Sequence, residues 1–169
     1  MNALRGIAAT ALFLVLASAT ADAAQSSAVP RVEVVDYGLY TASVVQSKRD
    51  AQGILDSVSS DIRHMKTTHD VPARLGTQFG LRFKLLGEPD GAQVTLKEVW
   101  IFPPAGLRPP EANEAIHQIQ RNITVTMGKT RYLSYKFDDP WELIPGTWTH
   151  ELWYQGRKVV SQRFTVGQP

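Results

Sequence analysis

The stretch GTQFGLRFKLLG (residues 76–87) places Phe79, Leu81, Phe83 and Leu85 at every second position, with Gln78, Gly80, Arg82 and Lys84 between them. A side-chain period of two belongs to a β-strand with one face in a core and the other in water. Within it, Gly80 allows close backbone approach. Downstream, HQIQRNITVTMG (117–128) repeats the pattern with Ile119, Ile123, Val125 and Met127, and RYLSYKF (131–137) repeats it with Leu133, Tyr135 and Phe137. The intervening Gly128-Lys129 suits a hairpin turn joining these two strands.

Two further runs break the alternation. In RVEVVDYGLYTASVV (31–45) the apolar parity shifts between Val34 and Val35, and in GAQVTLKEVWIF (91–102) it shifts between Leu96 and Val99. Each shift implies a bulge or a strand crossing between sheets. The run ILDSVSSDIRHMKTTHD (54–70) fits helical spacing through Leu55, Val58, Ile62 and Met65 and alternation through Val58, Ser60, Ile62 and His64. Its Ser and Thr content and its β neighbours favour a strand. A short helix is expected to open near Pro110, where proline suits a first turn.

The chain closes with TWTHELWYQGRKVVSQRFTV (147–166), in which Trp148, His150, Leu152 and Tyr154 share a face, as do Val160, Gln162, Phe164 and Val166. A three-residue loop, Tyr154-Gln155-Gly156, lets the two faces coincide, with Gly156 at the left-handed position. Trp148 then enters the core, and Trp153 points outward beside Thr149 and Glu151, at least half exposed unless a loop covers it. Trp141, between two prolines, is expected to plug one end, while the face of Trp100 is left open by the shifted strand. About eight or nine strands without long helices between them make an all-β, two-sheet antiparallel β-sandwich of immunoglobulin-like architecture. The Cys…Trp…Cys pattern of antibody domains is absent.

Before this domain, residues 1–23 read as a cleaved signal peptide: Arg5, an apolar run from Ile7 to Ala17, then cleavage after Ala21 or Ala23. The apolar run is too short to span a bilayer, and no later run comes close, so the mature chain is expected to be soluble. Residues 24–30 form a flexible arm and 31–167 a single domain. Without cysteine there is no lipid-anchoring thiol and no disulfide framework, so in an oxidising compartment packing alone holds the fold. The net charge is +2 with scattered Lys and Arg, which argues against a nucleic-acid surface.

Three strings, VEVVDYGLY (32–40), VPARLGTQFGLRF (71–83) and PWELIPGTWTHELWYQGRKVVSQRF (140–164), resemble the bacterial domain of unknown function family 3859 from about Val32 to Val166. The resemblance implies a secreted or periplasmic, predominantly β domain, and brings no activity and no catalytic residues.

No nucleophile elbow, zinc-binding His-Glu-x-x-His pair, phosphate loop, dinucleotide fingerprint or EF-hand occurs. His64 and His69 fall on opposite faces of a strand, His150 reads as a hydrogen-bonded core or edge residue, and His117 as a surface one. Asp138 and Asp139 cap a turn before Pro140 and could join Glu142 in a weak Ca²⁺ site, though hard cations need more oxygens. No metal or other cofactor is therefore expected. Asn122 heads a formal glycosylation triplet on the solvent face. The leading expectation is a non-enzymatic binding or envelope-accessory domain with an envelope protein as partner, through open strand edges or the Trp153/Glu151 face. The alternative is a glycan-binding module stacking sugars on Trp153, Trp100 or Tyr132. A hydrolase using two of Asp138, Asp139, Glu142 and Glu151 ranks third, and Arg74 is a further candidate, as an anion contact.

Overall fold

The computed structural model describes residues 29–50, 53–87, 89–110 and 112–167. The expected signal peptide (1–23) and most of the arm (24–30) lie outside the described residues. Among the described residues nine strands form: β1 (Arg31–Arg49), β2 (Leu55–Lys66), β3 (Asp70–Pro72), β4 (Gln78–Leu86), β5 (Gln93–Ile101), β6 (Gln118–Thr126), β7 (Thr130–Lys136), β8 (Gly146–Tyr154) and β9 (Arg157–Gly167). They build one sheet in the order β2-β1-β4-β7 and another in the order β3-β9-β8-β5-β6. Every pairing is antiparallel except the short β3–β9 pair. The ambiguous run 54–66 is strand β2.

The alternating runs bury the faces they imply. Phe79, Leu81, Phe83 and Leu85 of β4 are fully buried and meet Leu133, Tyr135 and Phe137 beside them and Trp148 and Phe164 from the other sheet. One half of the core is aromatic, built from Phe79, Trp100, Phe102, Tyr135, Phe137, Trp148 and Phe164. The other half is mainly aliphatic, built around Leu81, Phe83, Leu85, Leu96, Ile123 and Leu152. Trp148 is core, its Nε1 donating to the Ile144 carbonyl at 3.0 Å. Trp141, in the one-turn 3-10 helix Pro140–Glu142, packs partly buried against the aromatic half.

Four expectations change. First, β6 and β7 are not a hairpin: β6 pairs with β5 and β7 with β4, in different sheets. The connection 127–129 crosses between sheets because its backbone is bonded to both, Met127 N to Ala92 O at 2.8 Å and Gly128 N to Leu85 O at 2.8 Å. Second, β1 does carry a register shift at Val34/Asp36, but β5 pairs with β6 and β8 without any. The broken apolar pattern of β5 arises because Glu98 occupies a core-facing position between Leu96 and Trp100, all three buried. Third, no helix opens near Pro110 among the described residues. Instead Leu107 and Ile116 exchange two backbone bonds of 2.8 Å, closing the excursion as a bridge. Fourth, the β8–β9 connection is a two-residue turn, with Tyr154 opposite Arg157 and positive φ at both Gln155 (46°) and Gly156 (77°). A bulge at Val159 then restores the even parity, so Trp148 faces Phe164 and Leu152 faces Val160 as the apolar faces require.

β1 is long enough to serve two neighbours. Residues 31–40 pair with β4, and residues 39–49 pair with β2. The β1–β2 hairpin therefore runs on past the start of β4 at Gln78, and Arg49 near its tip bonds Asp139 at 2.8 Å and the Gly53 carbonyl at 2.6 Å.

Candidate functional site: a seam between edge strands

Edge strands have one row of backbone N–H and C=O groups without a sheet partner. Here β6 ends one sheet and β7 ends the other, and the short connection 127–129 holds them side by side. Two cavities open along this seam. The first, about 300 Å³, has contiguous residues Ile119, Gln120 and Arg121 on one wall and Ser134, Tyr135 and Lys136 on the other. The second, about 590 Å³, has Arg121–Thr124 on one wall and Thr130–Ser134 on the other. In a strand, alternate residues line a surface facing one side of the sheet. Contiguous ones show that both cavities front the edges themselves. Ser59, Arg121 and Ser134 belong to both cavities, so the seam is continuous. The β1–β2 hairpin adds Val44 and Leu55 to the first and Val58 and Ile62 to the second.

The first cavity reaches down to Glu98 and Trp100. Glu98 is 1% exposed and accepts from Trp100 Nε1 (3.2 Å), Arg121 Nε (2.6 Å) and His150 Nε2 (2.8 Å). His150, itself fully buried, stacks on Trp100 with centroids 4.1 Å apart. Burial pulls the Glu98 carboxyl upward, but the His150 hydrogen bond and the His150 and Arg121 charges outweigh it and hold the group at about 2. A second buried carboxylate, Glu142, accepts from Tyr135 Oη (2.7 Å) and from the backbone amides of Asp138 (2.6 Å) and Asp139 (2.9 Å). Desolvation dominates there and raises its pKa. Each carboxylate has three protein donors, which fixes its position.

The remaining candidates are scattered. Trp100 is core, exposing only an edge to the first cavity. Glu151 and Trp153 lie together on the outer face of the five-stranded sheet. Trp153 is partly buried rather than half exposed, because its Nε1 bonds Glu151 at 2.9 Å and Lys158 Nζ, itself 2.8 Å from Glu151, lies 5.5 Å from its ring centroid. Arg74 sits in the exposed turn before β4 and lines neither cavity. Tyr132 lies in the second cavity, its ring 4.8 Å from that of Tyr40. Asp138 is bonded to Lys136 and Asp139 to Arg49, so with Glu142 they form a ring of turn contacts. Among the described residues no cluster of His and carboxylate side chains suited to a metal ion occurs. His64 bonds the Tyr37 carbonyl at 3.0 Å, and His69 lies against the Tyr37 ring. The Glu98–His150–Arg121 group was hidden in the sequence: a Glu two residues before a Trp looks like a break in pattern, and its partners are 23 and 52 residues away.

Against known proteins, the family model "Domain of unknown function (DUF3859)" matches residues 28–166. A crystal structure described as an immunoglobulin-like protein from Pseudomonas aeruginosa is similar, with 22% identity over 84% of this chain and 99% of that one and a TM-score of 0.59. This likeness shows the immunoglobulin-like fold. Comparison with curated proteins gave no match. The chain belongs to the domain of unknown function family 3859.

Proposed function

We propose that this family member is a secreted or periplasmic, non-enzymatic protein-binding domain, taking an extended segment of an envelope protein as an added strand along the β6–β7 seam. The observation that carries the reading is the contiguous lining of both cavities by edge-strand residues, because strand addition uses backbone groups for affinity and flanking pockets for side chains. β6 suits the role. It is nine residues long, pairs with β5 without a bulge, and shows Gln118, Gln120, Asn122 and Thr124 on its exposed side. That is a long, regular edge whose outward residues are neutral and polar, with Arg121 the one charge along it, drawn back onto Glu98. The other edges are poorer: β3 has three residues, and β2 has three register shifts against β1 and a positive φ at Asp61. Holding Glu98 and Glu142 with three donors each supports structural rather than reactive roles for them. The Trp153 ring, already engaged by Glu151 and Lys158, disfavours sugar stacking there.

The test is photo-crosslinking in living cells with the probe at Gln120, on the seam, or at Trp153, on the outer face. A discrete higher-mass band from position 120 alone is expected. A band from position 153 alone would move the binding surface to the outer sheet face and refute the edge reading. The secretory reading expects a mature protein beginning at Asp22 or Ala24, read by mass spectrometry of the intact chain; an unprocessed N-terminus in envelope fractions would overturn it.

A further inference from the structure

The second cavity has an uneven charge. Arg82, Arg121 and Arg131 line it, and among the described residues no carboxylate does. Two of the three guanidiniums are already engaged from behind. Asp36 accepts from Arg82 through both Nε and a terminal nitrogen, and Glu98 accepts from Arg121. Arg131, exposed at the start of β7, makes no ion pair with any described residue. Beside it, on the other face of β7, the Tyr132 hydroxyl is buried, and burial pushes that phenol up to about 12 while a hydrogen-bonding contact with Ser134 acts the other way. Around these donors stand Ser59, Asn122, Thr124 and Thr130, while Val58 and Ile62 form an apolar lip on β2. Val58 is 59% exposed.

Resting on the strand-addition reading above, we propose that the segment added at this seam is acidic, with a Glu or Asp side chain seated in the second cavity. Its carboxylate pairs with the Arg131 guanidinium, and an apolar side chain at a neighbouring position covers Val58 and Ile62. A guanidinium fork matches a carboxylate with two parallel hydrogen bonds, and a neutral amide with the same shape cannot replace that charge. A peptide is favoured over an anionic sugar chain because the charge lies between two open strand edges and beside an apolar lip. Arg121 and Arg131 both occupy positions of core-facing parity on edge strands, which is also how proteins guard edges against aggregation. The two roles separate experimentally.

The probe is a set of fluorescein-labelled heptapeptides alternating Val and Thr, with Glu at two central positions, with Gln in place of Glu, and with alternate backbone nitrogens of the Glu version methylated. Anisotropy titrations use the mature protein at low and at physiological salt. The Glu peptide is expected to bind at least tenfold tighter than the Gln peptide, with the gap narrowing as salt rises. Arg131→Gln should remove the gap and leave the Gln peptide unaffected. Equal binding of Glu and Gln peptides, both lost on backbone methylation, would overturn the acidic inference while leaving strand addition intact. Undiminished binding of the methylated peptide would refute strand addition with carboxylate recognition still standing. Arg131→Gln that leaves peptide binding unchanged but turns the protein oligomeric in light scattering would make Arg131 an edge guard and sink the proposal. So would binding of an oligouronate but no peptide.

Discussion

Glu98 sits at a core-facing position of β5, in contact with the first cavity, yet its carboxylate is held well below the ordinary value of 4.5, at about 2. The sign of its pH effect follows. A carboxyl more acidic in the folded chain than in the unfolded one stabilises the fold fully above about pH 4.5, and that contribution is lost as pH falls from there towards 2. Glu142 acts in the opposite sense. Its raised pKa favours the fold at low pH, and the contribution is lost as pH rises through its folded value. Urea midpoints measured from pH 7 to pH 2.5 should therefore show an acid loss that Glu98→Gln flattens and Glu142→Gln steepens. An unchanged slope in Glu98→Gln would show that the carboxyl titrates alike in the folded and unfolded chain, and a steeper one that the fold keeps it neutral. Glu98→Ala goes further, leaving buried His150 and Trp100 Nε1 without their acceptor. A loss of about 3–5 kcal/mol at neutral pH is expected from breaking such a buried pair. The sequence marked His150 as a hydrogen-bonded core or edge residue but not its partner Glu98, because alternation can only count apolar residues. A polar residue in a core position looks like a slip of register until its partners from other strands are known.

At the scale of elements, two glycines separate two reasons for the same residue. Gly156 closes the β8–β9 turn at φ 77°, and a Cβ there would meet nothing within 4 Å. Only backbone strain opposes Gly156→Ala, which should cost about 1–2 kcal/mol and leave the register intact. Gly80, in mid-strand on β4, has no such conformation. A Cβ there would lie 2.1 Å from the Leu133 carbonyl oxygen and 2.6 Å from Ser134 Cα of β7. Gly80→Ala must push an entire strand aside, so the loss should reach about 1–3 kcal/mol or more, with chemical-shift changes spread along β7. If the shifts stayed local to residue 80 while Gly156→Ala disturbed the hairpin broadly, both assignments would be reversed. The close approach at Gly80 is legible in the sequence, because a glycine inside a clean alternating run weakens the strand unless a neighbouring backbone needs the space. The period of two likewise marked β4, β6, β7 and the inward face of Trp148. What it could not supply was pairing. Parity is the same for a three-residue loop and for a two-residue turn followed by a bulge, and Gly128-Lys129 can end a hairpin or cross between sheets. The choice lies in backbone bonds to Leu85 and Ala92, residues far along the chain.

For the molecule as a whole, the seam exists because two consecutive strands, β6 and β7, end different sheets side by side and the β1–β2 hairpin, distant in the chain, lines them. A site made of edges has no motif, so the sequence could name open edges as a class of surface without saying which. Near its tip the hairpin is tied to the body by Ile54, 5% exposed in the aromatic half of the core, and by Arg49, half exposed, which bonds Asp139 and the Gly53 carbonyl. An exposed pair of this kind adds little to global stability. Its effect should be local, since segments with few buried contacts open well below the free energy of global unfolding. Val44, Val45 and Val58 on the hairpin are 44%, 67% and 59% exposed, so beyond Ile54 little apolar burial holds this arm once the Arg49 contact is released. Arg49→Ala is therefore expected to leave the thermal midpoint nearly unchanged while speeding hydrogen exchange of amides 44–49 and 55–60 several-fold. Amides of β4 and β8 should keep their protection. Uniform acceleration across all strands would mean that the hairpin folds as one cooperative unit with the sandwich, and the seam would then be a fixed cleft. Selective acceleration would make the arm a movable wall, and a peptide captured along β6 should then restore slow exchange to the arm, coupling occupancy of the seam to closure over it.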